Sequence, residues 1–542
     1  MHNQQSIRVS SIFFIFCCAY IAIIINLFLL QVRHTHYFKE LGQRQYHTII
    51  THKPDRALIT DRTGKHILAL NKTAIAAFVC PSKMQDPDTL CRFLADHFPQ
   101  AAERLPRYSS KHFMYVQRNL SDEQQALIEQ AALEDMCLLK EPHRYYPHAH
   151  LAPIVGITNI DNKGIMGIEQ KYNDRLSAQE TKVKVMKDAR SGYFYFETPQ
   201  TDITLPEPVR LTIDADIQFL AYEQLQATVQ QFNAKQGSVL VMDPTNGEII
   251  VMANYPTFDP NNRHTNDLTH IKNYCIAEQY ELGSVMKVFT ALAALEEELV
   301  SIDEPIDCKN LRTAYLDGRR VNTWRAHDIL SFSEVIEKSN NIGTAIVAQR
   351  LGPLLYDHLR RVGFGTQTGI ELSGELPGFV NPPATWSKQS IISLSYGYEI
   401  SATLLQLAQA FGIIANNGIC TSPTICMQQT PHQSAPLYSE QAIHDIKEIL
   451  KRTTQKGTAR RARMQGYDVM CKTGTANLLE NGVYIDSKNS YTCAGIIQKD
   501  AYKRIIVTYV READHPRLYA SQVAVPLFEQ VAQKMLIHDR IL

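Results

Sequence analysis

In the stretch ELGSVMKVFTALAALEE, Glu281 to Glu297, a hydroxyl at Ser284 stands three residues before a lysine, Lys287, and an apolar run follows at once. On a helix, residues three apart share a face, so these two side chains can touch. A serine hydroxyl is a weak nucleophile until a neighbouring base takes its proton. A lysine amine is such a base only when burial or nearby cations depress its pKa, and VFTALAAL supplies apolar surroundings. The start of a helix also offers free N–H groups and the positive end of the dipole to a developing oxyanion. The plain alternative is a solvated lysine beside a turn serine, and an isolated S-x-x-K does not decide between them.

Two further segments supply the context. Ser339, Asn340 and Asn341 open a second apolar helical run, IGTAIVAQRLG; taken alone, Ser339 reads as a helix N-cap. DVMCKTGTA places Lys472, Thr473, Gly474 and Thr475 at the end of an apolar strand, where a K-T-G by itself reads as a turn. In this order, on helix, helix start and strand, S-x-x-K, S-x-N and K-T-G form the three-part signature of penicillin-binding proteins and serine β-lactamases.

These motifs need a scaffold, and the chain is long enough to build one. Its 542 residues exceed a single core, so two or more domains are expected. Hydrophobic content of 44% and charged content of 20% are ordinary for a globular protein. Lys plus Arg equals Asp plus Glu at 55 each, and no basic stripe appears, so nucleic acid is not an expected partner. Eleven cysteines are scattered without a C-x-x-C pair, which excludes zinc-site spacing and complete intramolecular pairing. Buried small side chains are the plain reading of most of them. No metal or organic cofactor is implied.

The N-terminus carries SSIFFIFCCAYIAIIINLFLLQV, with no charge between Arg8 and Arg33. That length crosses a hydrocarbon core as one helix, and no small-residue cleavage site ends it. The expectation is a tail over residues 1–10 and a membrane anchor over 11–32. Arg8 alone precedes the run while Arg33, Lys39 and Arg44 follow it, so charge counting does not favour an N-inside orientation. Residues 33–205 mix short β-rich pieces with helices such as SDEQQALIEQAAL, capped by Ser121. Pro206 and Pro208 mark a boundary. Over 206–542, a strand and long helix precede a hairpin around Pro244 and Gly247. Helices then fill the middle, and three strands and a closing helix, VAVPLFEQVAQKML, follow. The class is α+β, with an αβα layered domain of about 330 residues.

The resemblance extends over nearly the whole chain. KPDRALITDRTGKHILA is similar to the R-G-x-I-x-D-R-x-G block of class B penicillin-binding proteins, with Ala57 where glycine is usual. VMDPTNGEIIVMANYPTFDPNN, VGFGTQTGIELSGELPG and SYGYEISATLLQLAQAFGIIANNG also resemble that family, the last with core-packing leucines at its helical period. RYYPHAHLAPIVGITNIDNKGIMGIEQKYNDRL resembles the septal, cell-division branch rather than the elongation branch. Departures are Leu282, where proline is usual before G-S-x-x-K, and Ala520-Ser521, where two glycines are common.

The resemblance implies a membrane-anchored peptidoglycan D,D-transpeptidase of the inner membrane, periplasmic beyond its anchor. It implies an elongated β-rich, non-catalytic pedestal of the dimerisation type over 33–205 and a transpeptidase domain over 206–542. The substrate is the D-Ala-D-Ala end of stem peptides, and β-lactams are inhibitors. A SEDS-family (FtsW-like) glycosyltransferase and other divisome proteins are the implied partners. Ser284 is the implied nucleophile and Lys287 its base, with Ser339 relaying the proton. Asn341 is expected to hold Lys287 and a substrate amide. Lys472 is expected to depress Lys287 and, with Thr473, Gly474 and Thr475, to bind the terminal carboxylate. The backbone N–H groups of Ser284 and Thr475 form the implied oxyanion hole. The alternatives are an elongation-type transpeptidase, a D,D-carboxypeptidase, a β-lactamase-like hydrolase that activates water, and a catalytically silent scaffold. Only the scaffold is expected to lack one of the motifs.

Overall fold

The structure is a computed structural model; it describes residues 2–52, 55–177, 181–187, 193–194, 206–262, 268–480, 482–514 and 517–541. The chain divides into two compact units, Met1–Asp55 with Ala178–Pro206, and Arg56–Ser177 with Glu207–Leu542. Residues 33–205 thus contribute to both.

The first unit opens on helix α1, His2–Phe28, continued by a π-helical turn, Leu29–Arg33. Within it, Ile7–Arg33 contains an 18-residue stretch with a mean hydropathy of 2.8 and exposes its apolar side chains, Phe13, Phe14 and Ile24 among them. A helix that is apolar all round, with its apolar side chains exposed among the described residues, is long enough to cross a bilayer. Strands His47–His52 and Thr181–Lys187 pair antiparallel in this unit.

In the second unit, β1 (Ile67–Val79) and β2 (Met136–Tyr145) form an antiparallel ladder. Ser121 caps the helix Asp122–Ala131 in a reciprocal capping box with Gln124, as the sequence predicts. Motifs far apart in sequence meet here. Glu169 is fully buried, and its two oxygens accept from Arg56 Nε at 2.5 Å and Arg144 Nε at 2.6 Å. Arg56 also donates to Asn173 and Ser177. A carboxylate shut off from bulk solvent is held by two guanidinium groups, which accounts for the charges of two sequence blocks at once.

The rest of the unit is built on a five-stranded antiparallel sheet: β3 (Gln236–Met242), β4 (Ile249–Tyr255), β5 (Asp468–Glu480), β6 (Val483–Lys499) and β7 (Tyr502–Arg511), in the order β4-β3-β7-β6-β5. Alternation along the strands gives each face its own core. On β7, Ile505, Val507 and Tyr509 face one cluster while Ile506 and Val510 face the other. One face is covered by α2 (Ala215–Gln231) and the closing helix α7 (Ala520–His538), through Leu225, Val523 and Phe528. The other packs on α3 (Lys287–Glu296) and α5 (Leu404–Ala415), through Phe289 and Phe411, whose rings meet edge to face 5.7 Å apart. Between these in the chain lie α4 (Asn341–Leu351) and, after α5, α6 (Glu440–Gln455). The result is the expected αβα arrangement. Strand β5 is an edge of the sheet.

Candidate active site

Ser284 lies in a 3-10 turn, Gly283–Met286, that runs straight into α3. Helix α3 is buried on all sides, so its first residue, Lys287, enters a dry interior and is fully buried. The turn rests directly on β5. At Gly474 a Cβ would overlap the Leu282 carbonyl oxygen and press on Val285, so only glycine lets the two backbones approach this closely. Gly283 itself has φ +55°, in the left-handed region.

The K-T-G lies in the middle of β5, not at its end as the apolar pattern predicts. The strand continues to Glu480 by pairing with Val483–Asn489 of β6. Period-two alternation puts Lys472 on the same face as Met470, towards the helical core, and Lys472 is fully buried.

Both lysines converge on Ser339. Lys287 Nζ donates to the Ser339 carbonyl oxygen at 2.8 Å and to its Oγ at 3.1 Å. Lys472 Nζ donates to the same Oγ at 3.1 Å and to the Thr473 carbonyl at 3.0 Å. Ser339 is not the cap of α4. It sits at φ +55°, a left-handed conformation that L residues other than Asn, Asp and Gly seldom adopt. The cap is Asn340, whose Oδ1 accepts from Gly343 N at 2.9 Å. The left-handed turn holds the Ser339 hydroxyl between the two lysines.

Burial depresses both amines. Lys287 falls well below the usual lysine range, first because the charged form is desolvated and second because Lys472 is close. Burial pushes Lys472 down to about 8, against an opposing pull from the thiols of Cys471 and Cys493. A neutral Lys287 amine has a lone pair free to accept a proton.

A cleft of about 640 Å3 opens over these groups, lined by Ser284, Ser339, Asn341, Thr473 and Thr475. Ser284 is half-buried, and its hydroxyl has no hydrogen-bond partner among the described residues. Asn341 does not hold Lys287, as was expected of it. Its amide donates to the Asn322 carbonyl at 2.6 Å, and Ser339 takes its place on the lysine. Thr475 Oγ1 accepts from Ala520 N at 3.1 Å, which leaves its proton to donate into the cleft. The Thr473 hydroxyl meets the Thr458 hydroxyl at 2.8 Å.

Thr458 and Trp324 belong to none of the three sequence motifs, and Asn340 stands inside one without a role of its own there. Trp324 is 52% exposed yet pinned at the cleft by its indole N–H on the Lys338 carbonyl, 2.8 Å away. The pattern K-G-T-A ahead of the strand was the available signal for Thr458; an exposed tryptophan in a loop offered none. All eleven cysteines are free thiols, five of them buried. Away from the cleft motifs, Asp214, Asp216 and His538 bring three ligand-type atoms within 4.8 Å of one another, with Asp214 engaged in capping α2.

Residues 237–533 match the family described as penicillin binding protein transpeptidase domain, and residues 51–201 match the penicillin-binding protein dimerisation domain. The chain is 28% identical over 542 residues to the probable peptidoglycan D,D-transpeptidase PbpC of Pseudomonas aeruginosa, covering 98% of this chain and 94% of the relative. It is 27% identical over 486 residues to the peptidoglycan D,D-transpeptidase FtsI of Escherichia coli, covering 87% and 82%. Among solved structures, penicillin binding protein 3 of Mycobacterium tuberculosis complexed with aztreonam superposes with a TM-score of 0.69 at 25% identity, over 91% of this chain and 98% of that one.

Proposed function

The chain belongs to the penicillin-binding protein transpeptidase family, and from that membership we propose that it is a serine-type peptidoglycan D,D-transpeptidase that cross-links stem peptides in septal wall synthesis. The observation that carries the reading is the convergence of two buried lysines on the Ser339 hydroxyl beside a free Ser284 hydroxyl.

The steps follow from that arrangement. Edge strand β5 offers its unpaired backbone groups to an extended peptide. Lys472, Thr473 and Thr475 hold the terminal carboxylate of that peptide by charge and by hydroxyl donation. Ser284 Oγ attacks the carbonyl carbon between the last two D-alanines, and its proton passes to the neutral Lys287 amine. The backbone N–H groups of Ser284 and Thr475 stabilise the oxyanion. As the C–N bond breaks, the proton reaches the leaving nitrogen through the Ser339 hydroxyl, the shared partner of both lysines. D-Ala departs and the acyl group stays on Ser284. The amine of a second stem peptide then attacks the ester carbon. A C–N bond forms, the bond to Ser284 Oγ breaks, and the amine proton returns through the same relay to Ser284. A β-lactam follows the first half only, since its opened ring stays attached and blocks the acceptor.

The apolar α1 supports a single-pass anchor in the inner membrane with the catalytic domain periplasmic, and the similarity to FtsI supports a divisome setting with a SEDS-family glycosyltransferase. The test is covalent labelling of the full chain by a fluorescent penicillin. The wild type is expected to label persistently and Ser284→Ala not at all. Rapid loss of the label points instead to a hydrolase, and an unlabelled wild type defeats the reading.

A further inference from the structure

The chain as a whole is electrically balanced, yet one wall of the cleft is not. Lys456, Arg460 and Arg461 line it from one loop, Arg325 lines the same cleft, and Glu337 is the one carboxylate that joins them there. None of these four cations is ion-paired among the described residues, whereas Lys338, which also lines the cleft, is neutralised by Glu334 at 2.6 Å and Arg452 lies 3.9 Å from Asp303. Arg325, Lys456, Arg460 and Arg461 are exposed; Lys456 acts on Glu337 and Arg461 on Glu529 through space, without an ion pair. Charges of one sign gathered on a low-dielectric wall focus their field into the groove.

The place of this wall along the substrate path is fixed by Thr458. Its hydroxyl meets that of Thr473 at 2.8 Å, so the loop 456–461 flanks the Thr473 end of the site. The opposite direction along β5 leads to Asn477–Leu479 and a separate hollow lined by Glu281 and Glu399. In the proposed reaction, Thr473 and Lys472 grip the carboxylate of the departing D-alanine. The donor peptide therefore extends towards residue 477, and the leaving group departs on the side of the basic wall. An acceptor amine must replace the leaving amine and so enters from that same side.

Resting on the transpeptidase reading, we infer that Arg325, Lys456, Arg460 and Arg461 form an acceptor subsite that selects a stem peptide carrying a second carboxylate, beyond the one next to its attacking amine. Lys472 with Thr473 and Thr475 accommodates the carboxylate adjacent to the amine. The basic wall takes a further one, such as the free C-terminus of the acceptor peptide. Guanidinium groups suit this role because each presents a planar pair of donors to a carboxylate. The side chains are positioning and specificity residues; none touches the reacting atoms.

The test uses the full chain in detergent with a thioester donor whose acyl group mimics the stem peptide. Two acceptor peptides are compared, identical except that the C-terminal carboxylate is free or amidated. Wild type is expected to favour the free carboxylate in acceptor kcat/KM by about tenfold, what two partly screened contacts amount to. The double variant Arg460→Gln/Arg461→Gln is expected to lose most of that preference, through acceptor KM, while its rate of penicillin acylation stays within about twofold of wild type. Arg460→Lys/Arg461→Lys keeps an intermediate preference, because it retains the charge and loses the planar pair of donors. A wild type that labels with penicillin but treats both acceptors alike overturns the inference and leaves the transpeptidase reading standing. So does a Gln variant that keeps the preference. A wild type that fails to label removes both.

Discussion

Replacing Lys472 by methionine keeps most of the side chain's volume and removes its charge, which isolates one cause of the Lys287 pKa. The two amine nitrogens each lie 3.1 Å from the Ser339 hydroxyl oxygen, so they are at most about 6 Å apart. Two unit charges at that separation repel by about 3 kcal/mol at an effective dielectric near 20, or about two pH units on the Lys287 amine. Burial brings Lys472 down to about 8, so it is charged at neutral pH and the repulsion operates there. Lys287 accepts a proton only when neutral. Its neutral fraction falls as pH drops through its pKa, and acylation falls with it.

Without Lys472, desolvation still depresses the amine, but the second cause is gone. The acid limb of acylation is then expected to move to higher pH by about one to two units. The assay is stopped-flow acylation by a fluorescent penicillin across pH, fitted for the saturating rate constant. That constant separates the protonation state of Lys287 from the loss of carboxylate grip, which raises the apparent dissociation constant instead. At neutral pH the variant is slow, and alkaline pH restores much of its rate. An acid limb that stays in place, with only affinity lost, refutes the claim that Lys472 keeps Lys287 neutral.

The same variant carries a stability signature. Lys472 titrates at about 8 in the fold, below the unfolded value near 10.4, so its burial costs on the order of 3 kcal/mol below pH 8, a cost that fades as pH rises towards 10.4. Lys472→Met should thus raise the melting temperature more at pH 7 than at pH 10, and an equal shift at both counts against the depressed pKa. Gly474→Ala forces the Ser284 turn away from β5; acylation should drop about a hundredfold while stability falls by only about 1–3 kcal/mol, and near-normal labelling would show that the turn can shift freely. Glu169→Gln strands two buried guanidinium groups, with an expected loss of about 3–5 kcal/mol in urea unfolding of the second unit; a loss below about 1 kcal/mol means that water reaches the network.

Local chemistry was legible wherever neighbours along the chain decide it. Ser121 with Gln124, the hairpin of β3 and β4, and the apolar α1 all follow from spacing and turn residues alone. Ser284 and Lys287 were legible as a pair for the same reason, although the lysine turns away to Ser339 rather than lying along a shared α-helical face. The K-T-G was misplaced because the outer half of β5 owes its extension to pairing with β6, a tertiary influence that the apolar pattern does not encode. Asn341 misses Lys287 because the helix begins one residue later than Ser339 suggests: the cap is Asn340, and the Asn341 amide goes to the Asn322 carbonyl while the residue still lines the cleft.

What the site adds is a set of local conflicts that the surrounding fold sustains. Lysines are almost never fully buried without an ionic partner, and here two are buried together, 3.1 Å from one hydroxyl. Ser339 holds a left-handed backbone that costs on the order of 1–2 kcal/mol for a residue with a Cβ. Chain consistency alone would put apolar residues at 287 and 472 and a glycine at 339, each of them more stable and each without a base or a relay. The strain is tolerable because α3 is buried on all sides and the sheet beneath it is packed on both faces, so the two lysines cannot move out to water. On the proposed mechanism, the rigidity of the αβα core and the reactivity of Ser284 are therefore one property: a looser core would let Lys287 hydrate, regain its proton, and cease to serve as the base.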